Sequence, residues 1–251
     1  MKSLGIDIGG SAVKGAPVDT VTGRLLGERL RIPTPEMLTP HRMAAAIGEI
    51  ARHFRWTGPI GVGFPGVIFG SRILTAANLH PGFTGLDGVR LFAKASGCPV
   101  ALVNDAQAAA AAEMRFGAGR DFAGKTLLLT LGTGVGSAVA YRGVVVPFEF
   151  GHLPYKGRAY EKRVAASVRK ARNLTWEEWG RRLAEYIAVL ELIVWPELII
   201  IGGGVSAKAP KFFKYVKPRA RMVPAQLLNE AGIVGAGFLG AAEAEFWRGK
   251  K

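Results

Sequence analysis

Cysteine is almost missing from this chain of 251 residues: Cys98 stands alone. That excludes an internal disulfide framework and any zinc site built on several cysteines. No apolar run reaches the roughly 18 residues that a membrane span requires. No charged and then apolar leader comes before the first β-like run, so a secretory signal is not expected and the cytoplasm is the expected location. Low-complexity tracts and long linkers are also lacking, and Asn and Gln are scarce. Acid is in short supply as well: 33 Lys and Arg stand against 19 Asp and Glu, a formal charge of +14. Such an excess suits a polyanion, whether nucleic acid, an anionic membrane or a phosphate-rich substrate. It suits equally a basic surface that is merely solvated.

Present in quantity are apolar side chains, 49% of the chain, and glycine, 34 residues. The chain is long enough for two modest lobes or one large α/β domain. Residues 3–8, 12–18 and 25–32 read as short strands between turns, and 59–64 and 99–104 as buried strands. Helices are expected over 39–54, with Thr39 as N-cap and Pro40 at the first position, over 85–97, and over the Ala-rich 105–119. The segment 125–146 repeats the opening theme of strand, glycine turn and strand, and so predicts two similar lobes. Helices over 158–172 and 175–195, a strand in 197–206 and a last helix over 235–247 complete the reading. The expected lobes are 1–104 and 105–251, with the last helix packing back on the first lobe.

Three glycine turns each follow a strand: "DIGGSAVKG" (7–15), "LGTGVGSA" (131–138) and "IGGGVS" (201–206). Turns without side chains let backbone N–H groups approach phosphate oxygens. None has the spacing of a P-loop or a dinucleotide fingerprint, and each alone reads equally well as a tight hairpin or bulge. Three in one chain, with Asp7 and Lys14 in the first, point to phosphate. Asn104 and Asp105 lie where a strand meets a helix, the edge at which α/β proteins place ligands, although Asp105 could simply cap its helix. "FEFGH" adds Glu149 and His152, and Glu161 follows on the next predicted helix. Zinc would need more ligands than these, and no cysteine follows. Phosphoryl transfer needs an aligned nucleophile, a base and positive charge on the donor, a chemistry compatible with these residue types. No recognised nucleic-acid module is present.

These pieces, in this order, resemble the sugar kinases of the ROK family within the actin–hexokinase superfamily. The resemblance implies a two-lobed actin-like ATPase (ribonuclease H-like) α/β fold, with mixed sheets flanked by helices and a cleft between the lobes. Within the family, "DIGGSAVKGAPVD", "ERLRIPTPE", "LTLGTGVGSA", "LTWEEW", "GGGVS" and "NEAGIVGA" are most similar to the members that use polyphosphate to phosphorylate glucose or mannose. By that resemblance Asp105 is the general base for the 6-hydroxyl of glucose. Asn78, Asn104, Glu149, His152 and Glu161 hold the other hydroxyls. Gly9, Gly10, Ser11, Lys14, Gly132, Thr133, Gly134, Gly203 and Gly204 meet the phosphates, and Asp7 helps to position Mg²⁺ through water. Other family members carry a cysteine-rich zinc loop after E-x-G-H. Here the stretch from His152 to Glu161 is too short for it, so no zinc site is expected. The resemblance also implies a homodimer. An ATP-dependent ROK hexokinase, and a non-catalytic polyanion-binding protein on the same fold, stand as the alternatives. A helix over 158–172 would place Arg158, Lys162, Arg169 and Arg172 along one face, flanked by Lys170, as a track for polyphosphate.

Overall fold

Alternating and continuous apolar runs near the start of the chain pair into a five-stranded sheet. Its strands are β1 (Lys2–Ile8), β2 (Ala12–Asp19), β3 (Leu30–Pro33), β4 (Ile60–Phe64) and β7 (Val100–Asn104), in the order β3-β2-β1-β4-β7. A small hairpin, β5 (Ile68–Phe69) with β6 (Arg72–Ile73), lies outside it. The β1–β2 and β2–β3 pairs are antiparallel, and the β1–β4 and β4–β7 pairs are parallel. The structure, a computed structural model, describes residues 1–34, 38–76 and 79–248.

Helix α1 (Pro40–His53) starts where the sequence implies, with the Thr39 hydroxyl accepting from the Arg42 N–H. It lays Met43, Ile47 and Ile50 on one face of the sheet, against Ile6, Val62 and Phe64. Helix α2 (Gly88–Ser96) begins later than its pattern suggests, because Asp87 caps it by accepting from Arg90 N–H; Gly97, at φ +70°, ends it. Leu25, expected within the third strand, makes only an isolated bridge to Val18.

A second sheet repeats the first. Its strands are β8 (Thr126–Leu131), β9 (Val135–Tyr141), β10 (Val144–Phe148), β13 (Leu198–Gly202) and β14 (Arg221–Pro224), in the order β10-β9-β8-β13-β14. Directions match those of the first sheet: antiparallel for β8–β9 and β9–β10, parallel for β8–β13 and β13–β14. Its core joins Leu127, Leu129, Ile199 and Ile201 to Trp179, Leu183 and Leu190 of α6 (Trp176–Val194). Between the strands run a hairpin, β11 (Pro154–Tyr155) and β12 (Arg158–Ala159), and the short helices α4 (Glu161–Val164), α5 (Ala166–Ala171) and α7 (Ala209–Phe212).

The chain forms two compact units: residues 1–112 with the chain from 230 onward, and residues 113–229. Helix α3 (Asp105–Phe116) spans the boundary. The last helix, α8 (Ala231–Arg248), packs against the first sheet backbone to backbone. A Cβ added at Gly61 would stand 1.7 Å from the Ala236 carbonyl oxygen, and one at Gly235 1.7 Å from that of Ala108. Only glycine permits that approach, and α8 begins four residues before its expected start at 235.

Candidate active site

The first glycine turn joins β1 to β2, and the antiparallel register sets Asp7 opposite Lys14. The Lys14 Nζ lies 3.8 Å from an Asp7 carboxylate oxygen, and 20% of the Asp7 side chain remains exposed. Gly232 of α8 presses on that carboxylate, since a Cβ there would come within 2.8 Å of it. Burial pushes the Asp7 pKa up, and the Lys14 charge offsets this only in part. A crowded carboxylate at the edge of solvent is a hard-oxygen ligand that gains from a nearby cation. Among the described residues no group of three or more His, Cys, Asp or Glu is placed to hold a metal ion. As a single carboxylate at the edge of solvent, Asp7 fits Mg²⁺, which commonly uses one or two carboxylates and takes its remaining ligands from phosphates and water. Gly10 and Ser11 form the exposed tip of the turn, held by the Gly9 N–H donating to the Ala12 carbonyl.

At the end of β7 the two neighbouring polar residues divide the work. Asn104, 6% exposed, caps α3: its side-chain oxygen accepts from Gln107 N–H at 3.0 Å. Its amide nitrogen donates to the Gly66 carbonyl at 3.1 Å. Among the described residues, this leaves one further lone pair and one further N–H of the amide for a ligand. With the cap supplied by Asn104, Asp105 is not needed as one. One Asp105 oxygen accepts from the adjacent Ala106 N–H at 2.8 Å, which fixes the carboxylate at the mouth of the strand.

In the second unit, Ser137 on β9 pins the "FEFGH" segment. Its hydroxyl donates to the Phe148 carbonyl and accepts from Phe150 N–H, which fixes the backbone on both sides of Glu149, and the Phe148 and Phe150 rings stack on each other. The His152 Nδ1 lies 3.7 Å from a Glu149 oxygen. Glu161, at the start of α4, is 8% exposed; it accepts from Val135 N–H at 3.2 Å and meets Lys162 Nζ at 3.1 Å. Burial raises the Glu149 pKa; the His152 charge opposes this, and the Glu161 carboxylate adds to it. Glu149 thus senses both His152 and Glu161. Asn78 lies outside the described residues.

The second and third glycine turns abut. A Cβ at Gly203, where φ is +78°, would lie 2.6 Å from the Leu131 carbonyl oxygen, one residue before Gly132. Gly132, Thr133 and Gly204 face solvent, and nothing lies where a Cβ of Gly132 or Gly204 would sit. Helix α5 fastens the second turn from outside: Ser167 donates its N–H to the Gly132 carbonyl and its hydroxyl to that of Thr133.

The ROK family sequence profile matches residues 3–164. The chain belongs to the ROK family. It is 42% identical over 242 residues to the polyphosphate glucokinase of Mycobacterium tuberculosis, covering 96% of this chain and 91% of that protein. The crystal structure of an inorganic polyphosphate/ATP-glucomannokinase from Arthrobacter sp. strain KM superposes with a TM-score of 0.93 at 40% identity, over 96% of this chain and 99% of that one. A ROK family glucokinase from Streptomyces griseus, in complex with glucose and AMPPNP, matches in fold with a TM-score of 0.81 at 23% identity, over 96% of this chain and all of that one. The paired mixed sheets are thus the actin-like ATPase arrangement of ROK sugar kinases.

One expectation for this ROK chain fails. Residues 158–172 are not a single helix. Lys156 and Gly157 have positive φ and turn the chain into the β11–β12 hairpin, which puts Arg158 on a strand. Ala165, at φ −58° and ψ 148°, then breaks α4 from α5. Anchoring Ser167 to the second glycine turn outweighs the helical periodicity. The stripe of Arg158, Lys162, Arg169 and Arg172 on one face therefore does not form.

Sequence reading also missed Glu113 of α3, which is fully buried. Its two oxygens accept from the N–H groups of Ala118, Gln226 and Leu227 at 2.8, 3.1 and 2.7 Å. Nothing in "AAAAEMRF" distinguishes it from a solvated helix acid, because its partners are backbone groups, two of them more than 100 residues away.

Proposed function

We propose that the protein is a polyphosphate-dependent glucokinase, which moves the terminal phosphoryl group of inorganic polyphosphate to the 6-hydroxyl of glucose. The observation that carries this reading is the 42% identity to a polyphosphate glucokinase along nearly the full length of both chains. Asp105 is the base: held at the strand end by the Ala106 N–H, it takes the proton of the 6-hydroxyl as the oxygen attacks phosphorus. Glu149, His152 and Glu161, with Asn104 and Asn78, hold the remaining hydroxyls. Each carboxylate accepts from one hydroxyl, which orients the attacking oxygen. Lys14, Thr133 and the backbones of Gly9, Gly10, Ser11, Gly132, Gly134, Gly203 and Gly204 receive the phosphates. Mg²⁺ held beside Asp7 would neutralise charge on the donor phosphates.

A second reading is ATP as an additional donor; the 40% identity to the Arthrobacter polyphosphate/ATP-glucomannokinase favours it. We extend the proposal to a cytoplasmic homodimer, which light scattering of the purified protein tests for assembly. A coupled glucose 6-phosphate assay, with polyphosphate and ATP offered separately, tests the main reading. Turnover with polyphosphate is the expected result; turnover with ATP alone would replace this reading with the ATP-dependent one.

A further inference from the structure

Two cationic segments of the second unit have no place among the sugar and phosphate contacts above. One is α5 with its C-terminal end, which carries Arg169, Lys170 and Arg172. The other follows the third glycine turn and carries Lys208, Lys211 and Lys214. In sequence they lie far apart, but in the fold they meet on Trp176. The Arg169 guanidinium stands 3.9 Å from the Trp176 ring centroid, and the Lys211 ammonium 5.8 Å. Trp176 in turn stacks on the buried Phe212 of α7, with 6.0 Å between centroids and 17° between planes. Arg169 is fixed further by donating to the Leu174 carbonyl at 3.1 Å.

The same two segments also start from the phosphate turns. Ser167 ties the first residues of α5 to Gly132 and Thr133. Ser206, just ahead of Lys208, donates both its N–H and its hydroxyl to the Gly203 carbonyl. Because Gly203 abuts Leu131, both cationic arms leave from one corner and converge again at Trp176. Lys170, Arg172, Lys208, Lys211 and Lys214 are all exposed, and among the described residues none of the six cations is in an ion pair. The nearby acids are engaged elsewhere: Glu177 binds Arg181, and Glu178 closes the capping box with Thr175. Like charges held side by side without counter-ions cost stability, and an anion relieves that cost.

We propose that this surface, centred on Trp176, binds the phosphates of a long polyphosphate chain beyond those held in the glycine turns. The proposal rests on the reading of the protein as a polyphosphate kinase. The arrangement suits bare phosphates better than nucleic acid. Arg169 and Phe212 lie on the Trp176 ring, so that ring holds the two arms together and is not a platform for a base. A short donor ends at the glycine turns and gains nothing from the arms, whereas a long one displaces counter-ions along them.

The test compares the parent protein with Lys208→Glu/Lys211→Glu. Both lysines are exposed, so the variant should fold. KM is measured for long-chain polyphosphate, tripolyphosphate and ATP, and direct binding of long-chain polyphosphate is followed by tryptophan fluorescence at low and high salt. We expect the long-chain KM and dissociation constant to rise about tenfold and their dependence on salt to flatten, with the tripolyphosphate and glucose KM unchanged. Equal long-chain affinity in variant and parent at low salt would overturn the proposal. So would single-stranded DNA that binds the parent as tightly as polyphosphate and is weakened equally by the variant. If the parent shows no turnover with any polyphosphate yet binds the long chain in the expected salt-dependent way, the kinase reading falls and the surface stands.

Discussion

Asp7 shows at the scale of one residue how a site is built against stability. Its carboxyl is crowded by Gly232, and Lys14 only partly offsets the burial. A folded pKa above the ordinary 3.8 means that the native state holds the proton more tightly than the unfolded chain. Stability from this group is present below the unfolded pKa and lost as pH rises through the folded pKa, so at neutral pH the ionised carboxylate is a net burden. Asp7→Asn should therefore raise the melting temperature at pH 7, with a gain that shrinks as pH falls toward the unfolded value, while phosphoryl transfer is lost. A lower melting temperature at pH 7, read by circular dichroism, would contradict this. Glu113, by contrast, is a buried side chain whose hydrogen bonds hold the fold. Glu113→Ala leaves three part-buried N–H groups without their acceptor and should cost about 1–3 kcal/mol in urea denaturation. Asp7 was legible in the sequence because an acid inside an apolar strand, ahead of two glycines, is unusual. Glu113 was not, because its partners come from a distant turn.

At the scale of elements, sequence reading worked where local chemistry decides the structure. Thr39-Pro40 started α1 as its pattern implies, and the strand–glycine turn–strand units formed. It failed at 158–172, where helical spacing lost to the Lys156-Gly157 turn and the Ser167 anchor. The Lys-Gly pair was the available signal. The segment from Glu149 to Glu161 nevertheless has a collective property. Glu149 has a raised pKa, with the charge of His152 opposing the rise. If the Glu149 carboxylate accepts from a sugar hydroxyl, the glucose KM should begin to climb on acidification at a pH above the ordinary glutamate value of 4.5. His152→Ala should move that limb to still higher pH, besides raising KM overall. A limb that stays put or moves down in the variant would remove Glu149 from the sugar site.

At the scale of the whole molecule, the repeat seen in the sequence is a repeat of topology. Both sheets have the same strand order and the same directions, although the two segments share little beyond the spacing of their glycine turns. The return of α8 to the first sheet rests on glycine contacts such as Gly61 with Ala236, which periodicity cannot display because glycine has no side chain to mark a face. The excess of 33 basic over 19 acidic residues also acquires a location, since six of the cations gather around the phosphate turns and Trp176 of the second unit. The central claim, that Asp105 drives the transfer of phosphate to glucose, is tested most directly by the kcat of Asp105→Ala with polyphosphate and glucose. A loss of roughly 10²–10⁴-fold is expected, with the melting temperature and glucose binding retained, because only a side chain at a strand end is removed. A kcat close to that of the parent would contradict it.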